Sequence, residues 1–171
     1  MLAQVLVSVA ASFANIAIHS VCTVHLSHSV RLYWFERKHT RFLLARVVMM
    51  IITVAILMTA HLIEVLVWTA VYRAVGATPD GTSDLYLAFV NYATLGYGDV
   101  VPVPQWQLLG PFTAMNGILL FGWSTAMIFE VVRTTFRDVD DWQGARATGH
   151  ATSPDGKAQE NPWADSRENP Q

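Results

Sequence analysis

Three long apolar runs, separated by more polar segments, set the pattern of this chain. They cover residues 1–30, 42–72 and 106–133. Each run is near or above the roughly 20 residues that a helix needs to cross the hydrocarbon core of a bilayer. Residues 73–105, between the second and third runs, cannot span as one helix. The pattern therefore predicts an all-α integral membrane protein with three transmembrane helices.

Composition agrees with this class and narrows the chemistry. Hydrophobic residues make up 53% of the chain and charged residues only 14%, whereas soluble domains contain about a quarter charged residues. The single cysteine, Cys22, excludes an intrachain disulfide. Basic and aromatic residues do not interleave as in nucleic-acid-binding domains, so we expect no nucleic-acid partner. No nucleophile–base pair or metal cluster is visible, so the sequence indicates neither an enzyme nor a cofactor.

Basic residues predict the orientation in the membrane. The connection at residues 31–41 is basic, and the third run ends in Arg133 with Arg137 just after it, whereas the segment before that run has three aspartates and one arginine. Basic connections stay in the cytoplasm, which places the N-terminus outside and the C-terminus in the cytoplasm. Residues 134–171 are rich in Asp, Gly and Pro and lack an apolar period. Such a composition predicts a disordered cytoplasmic tail.

The segment before the third run predicts a short helix followed by an irregular loop. Residues 83–93 (SDLYLAFVNYA) form a helical pattern too short to span, and Ser83 or Asp84 can cap its first turn. The next residues, 94–99 (TLGYGD), need special backbone geometry. Irregular backbone at membrane depth is tolerated only when it is buried in protein or lines a water-filled path. We therefore expect a re-entrant loop that enters and leaves the membrane from outside.

The two glycines of this loop indicate how its backbone runs. Gly96 and Gly98 can take positive φ at little cost. An alternating left- and right-handed backbone points successive carbonyl groups to one side. One such loop would leave these carbonyls unpaired, at a cost of roughly several kcal/mol. Four loops around one axis, with dehydrated cations between them, would satisfy every carbonyl.

The sequence TLGYGD resembles the selectivity filter of potassium channels, whose carbonyl rings are a known basis of ion selectivity. The resemblance extends to the order of parts: an outer helix at 42–72, a pore helix at 83–93, the filter at 94–99, Pro102, and an inner helix at 106–133. It implies that residues 42–133 form the pore domain of a bacterial channel with two pore-forming helices and one pore loop. Residues 1–30 add a further helix.

The resemblance also implies a function and a set of ion-binding residues. The protein is expected to be a homotetramer in the bacterial inner membrane, contacting lipid and conducting potassium passively. The backbone carbonyls of Thr94, Leu95, Gly96 and Tyr97 would bind potassium ions, with Gly98 completing the filter. Potassium is the cargo, and no other cofactor is implied.

Two departures from the family pattern leave alternatives open. Leu95 stands where valine is commonest, and Val90 stands where some bacterial members carry a pore-helix carboxylate. We expect the hydroxyl of Tyr86, with Trp106, to hold Asp99 instead; the alternative is that Asp99 is a turn or cap residue. A weakened filter would give a cation channel of relaxed selectivity. A chain that fails to form tetramers would be a non-conducting subunit of another channel.

The inner helix contains candidate gating residues. Gly117 and Gly122 resemble the glycines at which the inner helix of the family bends. Asn116 either forms a polar ring in the cavity or makes hydrogen bonds between helices. Pro111 either kinks the helix or marks its start. The sequence indicates no gating stimulus, because the first helix lacks the regular arginine series of a voltage sensor.

Ionisable residues within the apolar runs are the remaining candidates. His61 and Glu64 lie three residues apart and share a helix face. We favour a structural hydrogen-bonded pair, and the alternative is a proton-sensitive gate. The first helix contains His19, His25 and His28. We interpret these three as interfacial side chains near the cytoplasmic end rather than as a metal site.

Overall fold

The computed structural model describes residues 1–36 and 43–149, with side chains for residues 1–30, 32 and 44–134. Over these residues it is all-helical and contains no strand. The four α-helices are α1 (Leu2–Glu36), α2 (Leu43–Val75), α3 (Asp84–Tyr92) and α4 (Leu109–Gly149), and a 3₁₀ turn covers Pro104–Trp106. The predicted all-α fold is confirmed.

Three of the helices are long and apolar enough to cross a membrane. Their apolar spans are Leu2–Val30, Leu44–Val75 and Leu109–Thr134. The helix α3 has only nine residues, and isolated helices of that length are not stable in water. The short helix therefore depends on packing against the long ones. The three apolar spans make the chain a multi-pass membrane protein.

The second helix ends three residues beyond its predicted end, at Val75, and the first and last helices extend further. The first was expected to end at residue 30 and continues to Glu36, and the last was expected to end at residue 133 and continues to Gly149. The predicted disordered tail is thus helical over residues 134–149. An established helix propagates easily, and residues 134–149 contain no proline to stop it. Residues 37–41 of the predicted loop and 150–171 of the predicted tail lie outside the described residues.

The chain divides into two compact units, residues 1–133 and residues 134–171. The first unit holds the described packing of α1, α2, α3 and the first part of α4. In the second unit, the described residues 134–149 are helical.

The helix α1 packs against α2 through a polar stripe on one face. Its buried residues recur every three or four positions: Gln4, Ser8, Ala11, Asn15, His19, Thr23, Leu26 and Val30. The opposite face exposes large apolar side chains such as Phe13 and Val24, both 67% exposed. Small and polar residues at such spacing are typical of interfaces between membrane helices. The polar face of α1 therefore belongs to the protein interior.

A buried cluster around α3 holds the short helix in place. The largest members of the cluster are Trp68, Tyr72, Leu87, Tyr92 and Leu109, each at most 1% exposed. They come from α2, α3 and the start of α4. Aromatic side chains of this size bury large areas, so the cluster fixes both the position and the tilt of α3.

The start of α4 decides the role of Pro111. This proline is the third residue of the helix, where a backbone N–H has no partner within the helix. Proline therefore costs no hydrogen bond at this position. Pro111 marks a helix start and not a kink.

Candidate functional site

The end of α3 forms the first part of the candidate site. The N–H of Thr94 donates to the carbonyl of Asn91 at 3.0 Å, and the N–H of Leu95 donates to the carbonyl of Val90 at 2.9 Å. This pair of bonds is the Schellman motif, which places one residue in the left-handed conformation. That residue is Thr94, with φ of 58°.

The end of α2 has the same Schellman motif, with glycine, the residue that the motif favours, in the left-handed position. There the N–H of Ala77 donates to the carbonyl of Tyr72 at 2.9 Å, and Gly76 occupies the left-handed position with φ of 62°. Glycine takes this conformation without steric cost. A non-glycine residue pays of order 1–3 kcal/mol for it, and such residues cluster at functional sites. Thr94 therefore departs from the usual preference for glycine, which makes the loop that it begins a candidate functional site.

Left-handed residues alternate with ordinary ones along the loop. Gly96 and Gly98 have φ of 56° and 76°, and together with Thr94 they make every second residue left-handed. Leu95 and Tyr97, between them, have negative φ, since Thr94 is the one non-glycine residue with positive φ in the described chain. The sequence predicted the left-handed glycines but not the left-handed threonine.

The side chains of the loop are open in the single chain. Leu95 is 50% exposed and Tyr97 is 67% exposed, and Val101, just after the loop, is 59% exposed. A cavity of about 540 Å³ adjoins the loop, lined by residues that include Asn91, Thr94 and Gln107. Apolar side chains exposed together in this way indicate a surface that other protein covers.

A hydrogen bond closes the C-terminal end of the loop. The hydroxyl of Tyr86 donates to Oδ2 of Asp99 at 2.6 Å, the contact expected from the sequence. The donated bond holds the pKa of the Asp99 carboxyl below its ordinary value, and the same bond raises the pKa of the Tyr86 hydroxyl. Trp106 does not take part: in the described residues its indole has no hydrogen bond to Asp99, and its ring packs against the buried cluster around α3.

The other end of α3 is fixed by its cap. The side chain of Ser83 accepts from the N–H of Tyr86 at 3.3 Å, so Ser83, and not Asp84, is the capping residue. Asp84 instead accepts from Nε of Arg73 at 3.1 Å. Deeper in the bundle, the side-chain amide of Asn91 donates to the hydroxyl of Tyr72 at 3.1 Å. Hydrogen bonds therefore hold α3 to α2 at both ends of the short helix.

A second group of polar side chains lies behind α3 and is fully enclosed. Glu64 is 0% exposed, and its carboxylate contacts Nδ1 of His61 at 3.0 Å and Nδ1 of His19 at 2.8 Å. The hydroxyl of Tyr92 also donates to this carboxylate. On the far side of both imidazoles, Oγ of Ser124 lies 2.9 Å from Nε2 of His61 and 3.3 Å from Nε2 of His19. We call these five residues the histidine–glutamate cluster.

The cluster joins four helices, and the sequence predicted only part of it. The contact between His61 and Glu64 was expected, but His19 was interpreted as interfacial and is instead fully buried. His25 and His28 are exposed. The signal that could have found His19 is the spacing of polar residues along α1, which places His19 on the same face as Asn15.

The same side chains raise the question of a metal. One ligand atom from each of His19, His61 and Glu64 lies within 4.8 Å of the others, and histidine and carboxylate are common zinc ligands. Each imidazole, however, is hydrogen-bonded at both ring nitrogens, and the carboxylate already has three partners. The described geometry is that of a closed hydrogen-bond network, and we assign no metal to it.

Comparison with known proteins bears on the loop and the helices around it. Residues 60–134 match a family model described as "Ion channel". This segment is an ion channel domain. The match includes the C-terminal half of α2, all of α3 and the loop, and α4 as far as Thr134. It supports the resemblance to potassium channels, and passive ion conduction is the activity of such a domain. No curated protein and no solved structure matches the chain.

Within the ion channel domain, Gly117 has a steric role. A Cβ atom at this position would lie 3.1 Å from the carbonyl carbon of Tyr92 and would collide with the carbonyl oxygen. At Gly122 a Cβ would meet nothing within 4 Å. Gly117 therefore lets α4 approach the backbone of α3 just before the loop. The helix runs unbroken through both glycines, and their role as hinges stays a prediction.

Asn116 lies between helices, which is the second of the two alternatives. It is 4% exposed, and its Oδ1 accepts from Nδ2 of Asn15 at 3.0 Å and from Nε1 of Trp68 at 3.1 Å. Asn15 also donates to the backbone carbonyl of Glu64 at 3.3 Å. The side chain of Asn116 thus ties α4 to α1 and α2.

Alanine substitution of the two glycines tests this close approach. We expect Gly117→Ala to destabilise the protein by roughly 1–3 kcal/mol, the usual cost of overpacking. Gly122→Ala is the matched control and should stabilise by roughly 0.5–1 kcal/mol, because alanine is the better helix former. Denaturant unfolding of the purified protein in detergent measures both. Equal stability of the two variants would contradict the close approach.

The bond between Tyr86 and Asp99 predicts a titration. In Tyr86→Phe the pKa of Asp99 should rise toward its ordinary value, because the lowered pKa comes mainly from the donated hydroxyl. The stabilisation from the ionised carboxylate is present above its unfolded-state pKa and disappears as pH falls through the folded-state value. In the variant the folded-state pKa approaches the unfolded-state pKa, so this pH-dependent stabilisation should become smaller than in the wild type.

Carbon-13 NMR of aspartate-labelled protein measures this titration directly. Tyr97→Phe is the control, because it also removes a phenolic hydroxyl near the loop but leaves the bond from Tyr86 intact. An Asp99 titration that is the same in Tyr86→Phe and in the wild type would show that the bond does not form in solution.

Proposed function

We propose that this chain is the pore-forming subunit of a homotetrameric potassium channel, with residues 94–98 as the selectivity filter. The observation that carries the proposal is the alternation of left-handed residues at Thr94, Gly96 and Gly98 directly after the short helix. Such an alternation turns successive carbonyl groups to one side of the loop. A row of carbonyls is the ligand set that replaces the hydration shell of potassium in channel filters.

The need for four chains follows from the loop and its neighbouring surface. A single row of carbonyls at membrane depth lacks hydrogen-bond partners and carries a cost of roughly several kcal/mol. Four rows around one axis surround the ions and remove this cost. Leu85 and Phe89 on α3 are each 45% exposed, as are Leu95 and Tyr97 of the loop at 50% and 67%. Neighbouring subunits in a closed ring would cover these side chains.

Potassium ions would pass as cargo along the carbonyls of Thr94, Leu95, Gly96 and Tyr97. The hydroxyl of Thr94 would add the innermost oxygen ring. The C-terminal end of α3 lies at Ala93, and its dipole would favour a cation in the cavity below by roughly 0.3–1 kcal/mol per helix. Binding at each position must stay weak enough for the ion to leave.

We place the channel in the cell membrane with the N-terminus outside and the C-terminus in the cytoplasm. The orientation rests on the positive-inside rule: the basic connection between α1 and α2 and the arginines after the third span would both be cytoplasmic. The loop and the Tyr86–Asp99 bond would then face the outside.

Ion flux into liposomes tests the proposal. Wild-type protein should admit potassium in strong preference to sodium. Gly96→Ala should abolish this flux, because alanine is strained at a φ of 56° and the carbonyls of residues 95 and 96 would turn away from the axis. The fold of the single chain should persist, since a Cβ at this position meets nothing within 4 Å in it.

Gly81→Ala is the matched control for backbone strain. Gly81 has φ of 78° and also has open space around its Cβ position, but it lies outside the loop. The Gly81→Ala variant should leave potassium flux unchanged. Equal potassium and sodium flux through the wild type would indicate a channel of relaxed selectivity. Wild-type protein that neither conducts nor forms tetramers would overturn the proposal and favour an accessory subunit.

A further inference from the structure

The histidine–glutamate cluster has a definite number of hydrogen-bonding protons, and this number can be counted. Glu64 lies on α2 and is fully buried. An uncompensated charge at membrane depth is costly. The groups that face Glu64 are His19 from α1, His61 from its own helix, and the hydroxyls of Tyr92 from α3 and Ser124 from α4. All the contacts of the two imidazoles and the carboxylate must be made with the protons that these groups carry.

The count begins at the carboxylate. If Glu64 is ionised, it accepts from the Tyr92 hydroxyl and from Nδ1–H of both histidines. With both histidines neutral, each Nε2 is then an acceptor. Ser124 lies between the two Nε2 atoms and has one proton to donate. One nitrogen–oxygen contact would be left without a proton, and the cluster would carry a net negative charge.

One added proton completes the network. If one histidine is doubly protonated, its Nε2–H donates to Oγ of Ser124, and the Ser124 hydroxyl donates to the other Nε2. A second arrangement uses the same number of protons: Glu64 is protonated and donates to Nδ1 of His19, while His19 donates from Nε2. The Nδ1 atom of His61 also lies 2.9 Å from the Tyr92 hydroxyl, and in both arrangements its proton is shared between that oxygen and Glu64. Every contact then has one donor, and the net charge is zero.

We propose that His19, His61 and Glu64 together bind one shared proton, and that this proton fastens α1 and α4 to the short helix α3. A second added proton would make both Nε2–H groups donate to Oγ of Ser124, which would leave the Ser124 proton without an acceptor in the cluster and make the cluster positive. The neutral, singly protonated cluster is therefore the state that satisfies both charge and hydrogen bonding. The proposal does not depend on which ion the loop conducts.

The cluster bears on the loop through Tyr92. This tyrosine contacts Glu64 with its hydroxyl and Gly117 with its backbone, two residues before Thr94. The shared proton would thus hold the end of α3 from which the loop starts. Under this proposal α1 is part of the structure that supports the loop, and His19 and Glu64 are positioning residues.

Nuclear magnetic resonance can count the protons. The protein is labelled with nitrogen-15 histidine and carbon-13 glutamate, with the four other histidines replaced by glutamine. Spectra are recorded at about pH 7.5, roughly one unit above the pKa of histidine in model peptides. We expect three protons in total on the four ring nitrogens and the Glu64 carboxyl. Two protons, or a divalent metal that purifies with the protein, would overturn the proposal.

Glu64→Gln and Glu64→Ala separate the proton from simple packing. Glutamine can donate to Nδ1 of His19 and accept from His61, so the network closes with both histidines neutral. We expect Glu64→Gln to show two ring protons and to melt within a few degrees of the wild type. Glu64→Ala cannot close the network and should melt lower by about 5–10 °C. An equal fall in melting temperature in both variants would contradict the proton count.

Discussion

A polar group at membrane depth must find its partner within the protein, because the hydrocarbon core offers no water. Both unusual parts of this structure are subject to that constraint. The histidine–glutamate cluster meets it by closing a network across four helices, so that Glu64 has a partner at each oxygen. The loop after α3 does not do so within one chain, and its backbone alternation from Thr94 to Gly98 is satisfied only if other chains and ions complete it.

The parts that were predictable from the sequence rest on local signals. Long apolar runs are sufficient to identify three membrane helices, since few alternatives bury so many apolar residues. Glycine at alternate positions indicates left-handed backbone, as the structure has at Gly96 and Gly98. The bond between Tyr86 and Asp99 was also accessible, because the resemblance to potassium channels fixes the spacing between the short helix and the end of the loop.

The parts that were missed depend on contacts between distant segments. His19 meets Glu64 only because α1 packs on α2 in one register, and the spacing of polar residues along α1 indicates its buried face but not its partner on α2. The steric role of Gly117 likewise requires the backbone of Tyr92, from another helix, at the same place. The extension of α4 to Gly149 was missed for a different reason. The composition of residues 134–171, rich in Asp, Gly and Pro, predicts disorder, although residues 134–149 contain no proline and continue an existing helix.

Thr94 is where local preference and the loop conflict most clearly. Gly76 shows that this chain uses glycine when the same helix-ending motif carries no other demand. Threonine in that conformation costs of order 1–3 kcal/mol, so the neighbouring packing must hold it there. The buried Tyr92 and the close approach of Gly117 lie immediately before it and supply such packing. A hydroxyl at the start of the loop is what glycine could not provide, and in the proposed channel it would bind the ion nearest the cavity.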